Sequence, residues 1–287
     1  MPNPAPNSPR NVVRVVRGRD TADGAGVRLK RVIGGAELPD LDPFLLLDEF
    51  RSDDPNDYLA GFPDHPHRGF ETVTYMLAGH MEHRDHLGNR GDLAAGSVQW
   101  MTAGRGIIHS EMPRQEAGLM WGFQLWVNLP AKDKLCAPRY QDIPPDAVPE
   151  VTLPGGGRVR VVAGSFEGTP GAVSGVATAP LYLDVQLPAG ARQRIAVPTG
   201  HHAFAYVYEG QTWLGDEPGT RLTAGQLGVL ADGDGVELRA QDGAARLLVV
   251  AGQPLAEPIV RHGPFVMNTR EQIMQAVRDY QSGRLLG

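Results

Sequence analysis

The sequence predicts an all-β protein made of two tandem β-barrels and a single C-terminal helix. Three observations carry this prediction. The 287 residues include 36 glycines and 24 prolines, dispersed between short stretches rich in Val, Leu, Thr, Tyr and Trp. Turn residues punctuate the strands of a sandwich or barrel in this way. One strand–turn–strand pattern occurs twice, and a helical period of apolar residues is clear only near the C-terminus.

Strands are predicted at residues 12–16, 69–77, 80–86, 97–102, 121–127 and 158–163. A second group follows at 181–187, 192–197, 203–208, 211–214, 226–230, 236–240 and 246–251. The helix is predicted at 269–280, with Thr269 as its cap and Ile273, Ala276, Val277 and Tyr280 as its apolar stripe. The repeat appears when the turns are aligned. Tyr75 to Gly79 is answered by Tyr206 to Gly210, and Leu93 to Gly96 by Leu222 to Gly225. The proline-rich segment 138–149 is the expected boundary. It gives a first barrel at 1–137 and a second barrel, with the terminal helix, at 138–287.

Composition bounds the function. The chain is 41% hydrophobic and 21% charged, as in a globular protein. No stretch approaches the roughly 18 apolar residues of a membrane helix, and the N-terminus has no apolar core of the signal-peptide kind. Cys136 is the single cysteine, so no disulfide framework forms within the chain and a cytoplasmic setting is expected. A formal net charge of -6 gives no footprint for nucleic acid. Residues 10–31 are locally basic and read as a solvated strand edge.

Six of the nine histidines lie between His65 and His109. In His65-Pro66-His67 the two imidazoles are two residues apart, so an extended strand turns both to one face. His109-Ser110-Glu111 repeats the spacing with an imidazole and a carboxylate. Two such strands can close on one metal ion with three nitrogens and one oxygen. Gly61, Gly69, Gly104 and Gly106 flank the pairs and suit close approach and sharp corners. His80, His83 and His86 follow the Gly79 turn among charged neighbours and are expected at a solvated rim. In the second half, counting from the repeated glycines puts Ala196, Pro198, Leu238 and Ala240 where the first half has His65, His67, His109 and Glu111. The second barrel is therefore expected to hold no metal.

Five long stretches then resemble the pirin family of the cupin superfamily: DPFLLLDEF at 42–50, FPDHPHRGFETVTY at 62–75, WMTAGRGIIHSE at 100–111, QLWVNLP at 124–130 and HGPFVMNT at 262–269. The resemblance implies two jelly-roll-like cupin barrels, with iron in the first. The family's ligands fall on His65, His67, His109 and Glu111. It implies either a quercetin 2,3-dioxygenase-type oxidoreductase, with a small aromatic flavonol and O2 as substrates, or a non-catalytic iron-dependent regulator with a protein partner. Neither role calls for direct nucleic-acid or membrane contact. Three imidazoles and a carboxylate suit Fe(II), and also Mn, Ni, Co, Cu or Zn.

For a flavonol, a carboxylate can act as the base that takes the proton of the 3-hydroxyl. Glu111 is the first candidate. Glu71 is the second, or else orients a histidine, because it shares the strand parity of His65 and His67. By the same parity Val73, Tyr75 and Leu77 are expected to point inward, with Trp100, Phe123 and Trp126 as candidate walls.

Overall fold

Strands joined by tight turns make up most of residues 8–286, the part of the chain that the computed structural model describes. They form two compact units, neither continuous in sequence. One comprises residues 20–34, 44–146 and those from 255 onward; the other takes the described residues up to 19, then 35–43 and 147–254.

The first unit pairs a seven-stranded with a four-stranded antiparallel sheet. The larger runs in the order Arg139–Ile143, Val98–Thr102, Phe70–Ala78, Met120–Asn128, Phe44–Ser52, Val27–Ile33, Arg19–Asp23. The smaller runs Phe62–His67, Ile107–Pro113, His80–Asp85, Arg90–Ala94. Phe50 and Met76 from the larger sheet pack with Met81 and Leu93 from the smaller one and close one end of the sandwich. Strand Arg139–Ile143 lies inside the proline-rich segment taken as a boundary, and its ladder to Val98–Thr102 ties it to this unit.

The helix is Arg270–Gln281, capped as anticipated by Thr269, whose side chain accepts from the Gln272 amide in a capping box. It belongs to this first unit rather than to the later barrel. The reason is where its apolar stripe is buried: Ile273 and Ala276 cluster with Phe265, Met267 and Leu285, and against Ile108 of the Ile107–Pro113 strand. Arg68 completes the attachment through Asp279 at 2.8 Å and the Leu285 carbonyl at 3.1 Å.

The second unit holds a ten-stranded antiparallel sheet whose main path begins at Val12–Arg17 and passes through Gln226–Leu230, His202–Leu214, Ala245–Gly252 and Leu181–Leu187. The strands expected at 203–208 and 211–214 are one strand, broken only by an irregularity between Val207 and Glu209. The repeated turns are real: Gly79, Gly96, Gly210 and Gly225 all have φ between 68° and 89°, a region that disfavours any side chain. The basic segment is solvated at Arg14, Arg17, Arg19 and Arg28, as anticipated, but not at its first residue. Arg10 is fully buried and donates to the carbonyls of Pro198, His201, Ala231 and Gly233.

Candidate metal centre and its cavity

His65 and His67 sit on Phe62–His67, and His109 lies directly across the ladder from His65. The corners beside them are joined, since the Gly69 amide donates to the Gly104 carbonyl at 2.8 Å. Gly69 has φ 89°, and a Cβ there would lie 2.0 Å from the Val266 carbonyl oxygen, so only glycine fits. Lys134, fully buried, supports the same corner. Its ammonium donates to the Gly69 and Val266 carbonyls and to Asn128 Oδ1 at 2.8–3.0 Å, and burial lowers its pKa to about 8.

The three imidazoles converge. One ring nitrogen from each of His65, His67 and His109 falls within a 4.8 Å cluster, the one group of this kind found among the described residues. The Nε2 atoms of His65 and His67 are 3.0 Å apart. Two nitrogens bound at right angles to one ion, each at about 2.1 Å, would stand about 3 Å apart. His65 Nδ1 donates to the Pro63 carbonyl at 2.8 Å, which leaves its Nε2 lone pair for the centre. His109 Nε2 is buried with no hydrogen-bond partner among the described residues. Burial, reinforced by the neighbouring imidazoles, holds His67 and His109 well below the ordinary imidazole pKa. Both are thus neutral at pH 7, the state a ligand needs.

Glu111 stands on the same cavity but outside the histidine cluster. The ladder slips between His109, paired with His65, and Glu111, paired with Phe62, and such an irregularity re-aims a side chain. Its carboxylate accepts from Thr74 Oγ1 at 2.9 Å and from Gln124 Nε2 at 3.2 Å.

Glu71 is elsewhere. It accepts from Thr102 Oγ1 at 2.6 Å, burial raises its pKa, and it does not line the cavity. The Arg68–Gly69 corner separates its strand from that of His65 and His67, so their parities are unrelated. Thr74, of the opposite parity, faces the site, while Val73 and Tyr75 are buried on the other face of their strand. Of the three aromatic candidates, Trp126 lines the cavity, with its ring 5.2 Å from that of His67; Trp100 and Phe123 do not.

His80 is half-buried and His86 exposed, but His83 is neither: it is 1% exposed, and its Nε2 lies 2.7 Å from His109 Nδ1. With Nδ1–H of His109 donated there, the Nε2 lone pair faces the cluster. His83 shares strand parity with buried Met81, a period-2 signal that the charged neighbours masked. Nothing in the linear sequence singled out Thr74 and Gln124.

The cavity beside the triad has a volume of about 580 Å³, within the range of small-molecule sites. Its apolar walls include Leu29, Leu46, Phe50, Phe62, Met81 and Trp126, and its ionic wall holds Asp23, Arg31 and Asp48.

Comparison with known proteins agrees with this architecture. The Pirin family model matches residues 26–127 and the Pirin C-terminal cupin domain model residues 182–286. A candidate quercetin 2,3-dioxygenase of Pseudomonas aeruginosa is 54% identical, with 96% of this chain and 98% of that protein aligned. Mouse pirin is 43% identical, with 96% and 94% aligned. The crystal structure of a quercetin 2,3-dioxygenase from Acinetobacter baumannii superposes with a TM-score of 0.90 at 34% identity, covering 97% of this chain and 99% of that one. The convergent histidines suggest a divalent metal. With its two cupin domains, the chain belongs to the pirin family.

Proposed function

We propose that this chain is a metal-dependent dioxygenase that holds iron and opens quercetin-type flavonols with O2. The observation that carries the reading is the convergence of three imidazoles on a cavity of small-molecule size. His65, His67 and His109 would hold the metal through Nε2, with Glu111 as the fourth ligand. When bound, the metal supplies Lewis acidity and couples the electron-rich substrate to O2. Glu111 receives the proton of the flavonol 3-hydroxyl, and Thr74 and Gln124 hold that carboxylate in position. Leu46 and Trp126, whose ring packs with Phe70 and under the Arg261 guanidinium, add apolar wall beside which an aromatic ring system packs and from which water is excluded. The A. baumannii dioxygenase, similar over nearly the whole chain, supports the substrate class.

The test is O2 uptake with carbon monoxide release when the iron-loaded protein is given a flavonol panel, together with metal content. His67→Ala is expected to lose both metal and turnover. A wild-type chain with its metal site filled and no turnover of any flavonol would overturn the dioxygenase reading.

A further inference from the structure

The sheet under the cavity carries one polar row between two apolar ones. Across four neighbouring strands the ladder pairs Thr74 with Gln124, Gln124 with Asp48, and Asp48 with Arg31. All four side chains line the cavity. On either side, the rows contribute Phe50 with Met76 and Leu46 with Trp126.

The two ends of this row differ in chemistry. Thr74 and Gln124 hold Glu111 beside the histidines. At the other end, Asp48 is 4% exposed and takes a two-pronged contact from Arg31, Nε at 2.9 Å and Nη2 at 2.7 Å. Nη2 also reaches Asp23 at 2.7 Å. Among the described residues Arg31 Nη1 therefore keeps both N–H groups unspent, on a guanidinium fixed by two carboxylates and still 23% exposed. Neighbouring strands are about 4.8 Å apart, so Asp48 lies about 10 Å and Arg31 about 14 Å from Thr74 along the row.

We infer that Arg31 Nη1 and Asp48 form a second polar anchor, which binds a hydroxyl group on the end of a flat aromatic ligand remote from the histidine cluster. The inference rests on the flavonol reading and adds to it which flavonols are preferred: those hydroxylated at the 3′ and 4′ positions of the phenyl ring attached at C2. A guanidinium already locked by carboxylates offers its remaining donors at little entropic cost. A phenol suits the pair because it accepts from Arg31 and donates to Asp48, whereas a carboxylate ligand would face Asp48 and Asp23 at close range.

The experiment measures anaerobic binding of two ligands to the iron-loaded protein: quercetin and its analogue lacking the 3′- and 4′-hydroxyls. The wild type is expected to bind quercetin about tenfold more tightly. Arg31→Met should abolish that preference by weakening quercetin alone, and Asp48→Asn should reduce it. Arg31→Lys, which keeps the charge without the fork, guards against a folding defect and should also lose the preference. Equal binding of both ligands by the wild type, or equal weakening of both in Arg31→Met, would overturn the anchor and leave the dioxygenase reading intact. Binding of neither ligand by the wild type would overturn both.

Discussion

The interiors of the two barrels differ far more than their frames. Both use left-handed glycines at matching turns, Gly79 with Gly96 and Gly210 with Gly225. In the first, the space between the sheets holds a cavity of about 580 Å³ with imidazoles, carboxylates and two guanidinium groups on its walls. In the second, the strand carrying Ile195 and the strand carrying Leu238 fill the interior with aliphatic side chains, packed with Val197, Val249 and their neighbours at near-zero exposure. Leu238 and Ala240 are buried where counting placed them. On the other strand, Ile195 and Val197 point inward and Ala196 and Pro198 outward, one residue from the expected register. The comparison teaches that the fold depends on the turns and the alternation, while the chemistry depends on a few inward positions that can be exchanged for core.

The contrast can be tested by moving an imidazole across it. Leu238→His would bury a ring among aliphatic groups with no partner, and is expected to destabilise the protein by about 2–4 kcal/mol without creating a metal site. Denaturant unfolding and metal content measure both effects, and an unchanged midpoint would show that the second interior tolerates polar groups as the first does.

Within the first barrel, His83→Leu should leave His109 Nδ1 buried and unpaired and lower metal affinity by about 10–100-fold. Chelator competition reads this directly, far-UV circular dichroism should stay unchanged, and His83→Gln should recover part of the loss by restoring an acceptor. Equal affinity in wild type and His83→Leu would remove His83 from the site's support.

The smallest effect concerns pH. His67 and His109 stay neutral in the folded, metal-free chain well below the ordinary imidazole value, chiefly because burial opposes their charging. The unfolded chain takes up those protons near pH 6.5. It therefore binds more protons than the folded chain as pH falls below that value, and acidification favours unfolding. Melting temperature is expected to drop between pH 7 and pH 5.5, with a shallower slope in His67→Gln. An identical slope in that variant would assign the acid sensitivity to other groups.

Much of this was legible along the chain. The H-x-H and H-x-E spacings put three imidazoles in one place because a strand's alternation is a local property, and Thr269 announced the helix because capping is local too. Glu71, Val73 and Tyr75 were misplaced because the Arg68–Gly69 corner resets which face is which, and corner geometry is not written in a two-residue period. His83 was hidden because its flanking charges resemble a solvated strand, while its burial comes from the neighbouring strand that carries His109.

By itself the sequence determined the all-β class, the duplicated turns and the identity of the convergent histidines, since each follows from backbone sterics and alternation within a few residues. Only the tertiary structure decided that Glu111 is gripped by Thr74 and Gln124, that His83 backs His109, and that Arg31, Asp48, Gln124 and Thr74 fall in one row. Those relations depend on which strands become neighbours and at what register. Contacts between residues far apart in sequence set that register, and the pattern along any single strand does not contain it.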